Sequence, residues 1–105
     1  MEQSAPPDTL ELDILPTEKA QLIGRFFQVL SDPTRVRLIK ALADGKWCVS
    51  DLVQALKMDQ PAISHQLKYL RTLGLVNWER EGRHIYYTLD NALLRDMLFL
   101  AIDEL

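Results

Sequence analysis

The stretch from Ser50 to Leu89 constrains the fold more than any other, because its apolar period changes once, at Gly74, and turn chemistry brackets each piece. Ser50-Asp51 reads as a helix cap, and Leu52, Val53 and Leu56 form the apolar stripe of a short helix ending near Lys57-Met58. Asp59 caps a second helix. Gln60 and Pro61 fill its first turn, where a missing amide hydrogen does no harm, and Ile63, Leu67, Leu70 and Leu73 mark its buried side until Gly74 closes it. From Leu75 the period is two, through Arg80, with a break at Glu81-Gly82 and a second alternating run from Arg83 to Leu89. The pattern predicts two helices joined by a tight turn and followed directly by a β-hairpin.

The flanking segments are helical. Thr17-Glu18 opens a run in which Leu22, Ile23, Phe26, Phe27, Val29 and Leu30 recur at helical spacing. Gly24 inside it costs about 1 kcal/mol relative to alanine and fits either a close helix approach or simple tolerance. Ser31-Asp32-Pro33 starts the next helix, with Val36, Leu38, Ile39 and Leu42 inward, Arg35, Arg37 and Lys40 on a solvated face, and a stop at Asp44-Gly45. A last helix opens around Asp90-Asn91 and carries Leu93, Leu94, Met97, Leu98, Leu100, Ala101 and Ile102. The order is α-α-α-α-β-β-α: mainly α with a small β-hairpin, the plan of a winged helix-turn-helix.

The last helix is apolar over more than one stripe, and so is the first. A second apolar face must be buried somewhere, and a small chain buries apolar surface poorly alone. A second copy is the natural cover. The expected two-fold interface uses the first and last helices, through Leu22, Phe26, Leu94, Met97, Leu98 and Ala101.

The net charge of −3 argues against a nucleic-acid partner until it is resolved along the chain. Glu2, Asp8, Glu11 and Asp13 lie in residues 1–16 with no basic residue, so the other 89 residues carry +1. Residues 1–16, with Pro6, Pro7 and Pro16, read as an acidic, flexible arm, and residues 17–105 as one domain. No apolar run approaches the length of a membrane span and no secretory pattern opens the chain, so a cytoplasmic protein without a membrane partner is expected. The single cysteine, Cys48, fits a reducing compartment. An enzyme is not expected: there is no nucleophile–base pair, glycine-rich phosphate loop or metal-binding motif, and no cofactor is called for.

A helix-turn-helix followed by a hairpin can place its second helix in the major groove of double-stranded DNA and its wing along the backbone. The candidate DNA-binding residues on the second helix are Gln60, Ala62, Ser64, His65, Lys68 and Arg71. Glutamine pairs bidentately with adenine, alanine touches the thymine methyl, and serine serves a base edge or a phosphate. In the wing, Gly82 permits a positive φ while Arg80, Arg83 and His84 supply donors for phosphates. Glu79 and Glu81 oppose this, which predicts moderate, salt-sensitive affinity. The alternative is a protein-interaction module that uses the same fold without DNA.

Three groups of residues carry a resemblance: Val29-Leu30-Ser31-Asp32-Pro33-Thr34-Arg35-Val36-Arg37-Leu38, then Ala62-Ile63-Ser64-His65-Gln66-Leu67-Lys68-Tyr69-Leu70-Arg71, then Gly74-Leu75-Val76 with Gly82-Arg83-His84-Ile85-Tyr86-Tyr87. Over some 89 residues the chain resembles the arsenic-repressor (ArsR/SmtB) family. The resemblance implies a homodimeric repressor on an inverted-repeat operator, released by an inducer that is most often a metal or metalloid ion. Where that family's thiolate sensor has Cys-x-Cys, this chain has Cys48-Val49-Ser50, and Ser50 reads as an N-cap. At the positions of the family's zinc site on the last helix it has Asn91, Leu93 and Glu104. Neither set makes a metal site, since soft ions favour several thiolates and zinc takes four ligands. His65 and His84 lie in the DNA-reading parts. The effector is left open among Cys48 as a thiol redox sensor, an organic ligand or partner, a metal held by the acidic arm together with Cys48, or none.

Overall fold

The structure, a computed structural model, describes residues 13–105. Most of the expected acidic arm, residues 1–12, lies outside the described residues, and 13–16 lead without regular structure into the first helix. Five helices follow: α1 (Thr17–Val29), α2 (Pro33–Asp44), α3 (Val49–Leu56), α4 (Gln60–Thr72) and α5 (Ala92–Glu104). Three strands, β1 (Trp47–Cys48), β2 (Val76–Glu81) and β3 (His84–Leu89), form an antiparallel sheet in the order β1-β3-β2.

Local chemistry sets most boundaries. Asp32 accepts from the backbone N–H of Arg35 at 3.2 Å, Asp59 from Ala62 at 2.9 Å and Asn91 from Leu94 at 2.8 Å, each satisfying a helix-start donor that would otherwise lack a partner. α4 closes in a Schellman motif: the Leu75 N–H reaches the Leu70 carbonyl at 3.0 Å and the Gly74 N–H reaches Arg71 at 2.9 Å, with Gly74 at φ 72°. That motif delivers the chain straight into β2. At the far end of the hairpin, Glu81 pairs with His84 across a two-residue loop whose Gly82 supplies the positive φ of 65°.

The core lies where α2, α3, α4 and α5 meet the base of the hairpin. Leu38, Ile39, Leu42, Leu52, Ile63, Leu67, Leu70, Val76, Tyr87, Leu94 and Leu98 are buried together. Several expectations are corrected here. β1 was absent from the expected element order; its two residues pair with Tyr86 and Tyr87 of β3, a long-range match with no local pattern. That pairing also moves the start of α3, so the cap position falls on Cys48, with no side-chain cap bond, and Ser50 lies inside the helix instead of capping it. Leu73 occupies the C-cap of α4 and is exposed.

The apolar residues of α5 divide into two stripes. Leu94 and Leu98, expected at a dimer interface, are buried in the chain's own core. Leu93 and Leu100 point away from it, Leu100 being 63% exposed, with the half-buried Met97 between them in the same stripe. α1 contributes Val29 to the core and leaves Leu22, Ile23 and Phe27 exposed, Phe27 by 56%, while Phe26 packs partly against the core. Gly24 has open space where a Cβ would stand, so nothing within the described chain requires a glycine there.

Candidate nucleic-acid interface

Three buried aliphatic anchors fix how α4 is rotated. With Ile63, Leu67 and Leu70 buried, Gln60, Ser64, His65, Lys68 and Arg71 face solvent, and Ala62 is half-buried at the helix edge. On that same edge, one and two turns on, Gln66 and Tyr69 are held by Arg35. Its guanidinium donates to the Val29 carbonyl at 2.7 Å, the Gln28 carbonyl at 3.0 Å and Gln66 Oε1 at 3.4 Å, and lies 4.4 Å over the Tyr69 ring. Arg35 is therefore not part of a solvated face: it ties the carbonyls at the end of α1 to α4. Arg37, likewise, donates to the Leu56 carbonyl at 3.3 Å.

The hairpin stands beside the last turns of α4. Between them lies a groove of about 520 Å³ lined by Val49, Ser64, Leu67, Lys68, Arg71, Thr72, Trp78 and Tyr87, with no carboxylate among them. The Arg71 guanidinium is stacked 3.8 Å from the centre of the Trp78 ring. Among the described residues, neither Lys68 nor Arg71 is in a salt bridge.

Strand alternation separates the hairpin's charges. The cross-strand pairs Trp78–Tyr87 and Arg80–Ile85 share one face, and Glu79–Tyr86 and Glu81–His84 share the other. Glu81 pairs there with Lys46, whose ammonium also sits 5.3 Å over the Tyr86 ring. The hydrogen bond from Lys46 to Glu81 is the main cause raising the Lys46 pKa above its ordinary 10.5; desolvation opposes it, and the charges of Glu81 and Glu79 add to it. The two glutamates thus occupy the face turned from Trp78 and Arg80, and one of them is matched. Arg80, Arg83 and His84 are exposed, and His84 meets Tyr86 edge-on at 6.2 Å.

Cys48 is buried, with Sγ 3.3 Å from Ser50 Oγ, at one side of a second groove that Gln60, Arg83 and His84 also line. One thiol and a hydroxyl bonded to each other do not fit a soft ion that takes several thiolates. Asn91 uses its side-chain oxygen to cap α5. Among the described residues no three His, Cys, Asp or Glu side chains gather as a metal site would require. No described helix is long and apolar enough to cross a membrane.

Sequence reasoning missed Trp78, Lys46 and the anchoring role of Arg35. Strand alternation alone separates Trp78 and Arg80 from Glu79 and Glu81, so half of that signal was available; the stack on Arg71 needed the helix–hairpin geometry.

Residues 32–77 match the family described as bacterial regulatory protein, arsR family. A transcriptional repressor SmtB homolog of Synechocystis sp. is 43% identical over 83 residues, covering 78% of this chain and 63% of its own length. This chain thus spans less than two thirds of that relative. The transcriptional regulator NmtR of Mycobacterium tuberculosis is 39% identical over 88 residues, covering 84% of this chain and 73% of its own. The crystal structure of AntR, an antimony-specific transcriptional repressor, superposes with a TM-score of 0.80 at 32% identity, over 96% of this chain and 92% of that one.

Proposed function

The chain belongs to the ArsR family of bacterial regulatory proteins, and on that premise we propose that it is a cytoplasmic, homodimeric repressor that binds an inverted-repeat operator. α4 enters the major groove, with Gln60, Ser64 and His65 toward base edges and Ala62 toward a thymine methyl. Lys68, Arg71, Arg80 and Arg83 serve the phosphates, while His84, which shares the Glu81 face of the hairpin, reaches a phosphate only at the tip of the wing. The observation that carries this reading is the sorting of charge: Lys68 and Arg71 line a groove free of carboxylates, and alternation puts Arg80 on the Trp78 face and both wing glutamates on the reverse.

The dimer is formed by the apolar stripes that the chain leaves uncovered: Leu22, Ile23 and Phe27 of α1 with the partly buried Phe26, and Leu93, Met97, Leu100 and Ala101 of α5. Two α4 helices then present to successive major grooves, and the operator mirrors the two-fold axis.

The test is fluorescence anisotropy on the DNA upstream of the protein's own gene, at several salt concentrations and with zinc, cadmium, arsenite, antimonite or peroxide added. Tight binding that weakens linearly on a log–log salt plot supports the repressor, and the additive that releases DNA identifies the effector. Affinity equal to that for random DNA at every salt concentration overturns an operator at that site.

A further inference from the structure

We propose that Trp78 is a positioning residue for DNA binding: its indole is a platform that holds the Arg71 guanidinium aimed at the phosphate backbone between α4 and the wing. The inference rests on the DNA-binding reading above and adds a residue which that reading leaves out.

Three observations carry it. The guanidinium lies 3.8 Å from the ring centre, a stacking distance that occupies its flat face and leaves its N–H edge free to donate outward. The platform is itself fixed. Trp78 is 49% exposed but is paired across the strands with the buried Tyr87, and β2 leaves α4 through the Schellman motif with only Leu73, Gly74 and Leu75 between the elements. Third, Lys68 and Ser64 open onto the same groove and no carboxylate competes for the guanidinium there.

An unstacked arginine on an exposed final helical turn samples many rotamers and must give them up to hold a phosphate. Stacked on a rigid indole, Arg71 has surrendered them before DNA arrives, and binding becomes tighter by the entropy no longer lost. The effect of removing the platform is set by that ordering cost for one long side chain, about 2- to 10-fold in affinity. Lysine could not use the same platform equally, because its compact ammonium has no plane to stack.

The experiment uses full-length protein and a duplex selected by the wild type from a random-sequence pool, with affinity measured by anisotropy across a salt series. Variants are Trp78→Phe, Trp78→Leu, Arg71→Ala and the double variant Arg71→Ala with Trp78→Leu; circular dichroism and thermal melting verify that each is folded. Trp78→Leu keeps an apolar cover over Tyr87 but has no π face. The expected results are about 2- to 10-fold weaker binding for Trp78→Leu at an unchanged salt slope, because Arg71 still neutralises its phosphate, a shallower slope for Arg71→Ala, near wild-type binding for Trp78→Phe, and no further loss from Trp78→Leu once Arg71 is alanine. Wild-type affinity in Trp78→Leu, or a loss that is equal with and without Arg71, overturns the proposal while leaving DNA binding intact. Failure of the wild type to enrich any duplex overturns the DNA-binding reading itself and the proposal with it.

Discussion

Arg35→Ala probes the joint between α1, α2 and α4, and its size follows from what the guanidinium holds. The side chain is 13% exposed, and its shortest bond, 2.7 Å from Nε to the Val29 carbonyl, serves a helix-end acceptor that has no intrahelical partner. Hydrogen bonds from a charged donor contribute about 1.5–3 kcal/mol net, and the Val29 bond is short enough to count fully. The Gln28 bond is solvent-exposed and the Gln66 contact is long, so together they add less than one such bond. The stack on Tyr69 adds about 1 kcal/mol. The ion pair with Asp32, 3.8 Å apart and partly exposed, adds little. A loss of about 3 kcal/mol is expected, which moves the urea midpoint down by about 1–3 M. Arg35→Lys keeps the charge and the stem but neither fork nor plane, and falls between the two. Both are measured at one fixed protein concentration, because unfolding of a dimer depends on it. If Arg35→Ala shifts stability by less than about 0.5 kcal/mol, the ordinary size for a surface change, the side chain is solvated and the joint is not there.

Charge placed on the uncovered stripe separates the two roles of α5: Leu100→Asp should give monomers in sedimentation velocity with weak operator binding, whereas Leu98→Ala should leave association but lower stability by about 2–5 kcal/mol through a core cavity. A Leu100→Asp protein that stays dimeric removes α5 from the interface. Cys48, 4% exposed, should react with a thiol reagent at least about 100-fold more slowly in the folded protein than in denaturant, since even a local opening of about 3 kcal/mol imposes that factor; comparable rates would return it to the list of accessible thiol sensors. The Lys46–Glu81 pair raises the lysine pKa, so its contribution is complete below the ordinary 10.5 and is lost as pH rises through the higher folded value. Glu81→Gln should lower that pKa in an NMR titration, and an unmoved value would mean the pair is not formed in solution.

What could be read from the sequence was what neighbours along the chain decide among themselves. Asp32, Asp59 and Asn91 cap their helices by reaching a backbone N–H three residues on, and Gly74 and Gly82 take the positive φ that their turns require; each is settled within a handful of residues. The same logic fails where two local solutions are equally good. Ser50 is a competent cap by composition, and only the pairing of Trp47 and Cys48 with β3 makes the helix begin before it. Leucines 93, 94, 98 and 100 are interchangeable in the pattern of α5, and contact with the rest of the core decides that 94 and 98 turn inward. Arg35 has no acidic partner at helical spacing on its C-terminal side and so reads as solvated, because its partners are carbonyls across a turn and an amide on another helix. The wing shows where the limit could have moved. Counted along the chain, Glu79 and Glu81 cancel Arg80 and Arg83; placed by the period of two, they fall on the opposite face from Arg80 and Trp78. The charge that DNA would meet is therefore a property of the strand's pleat, and a net count taken without that geometry understates it.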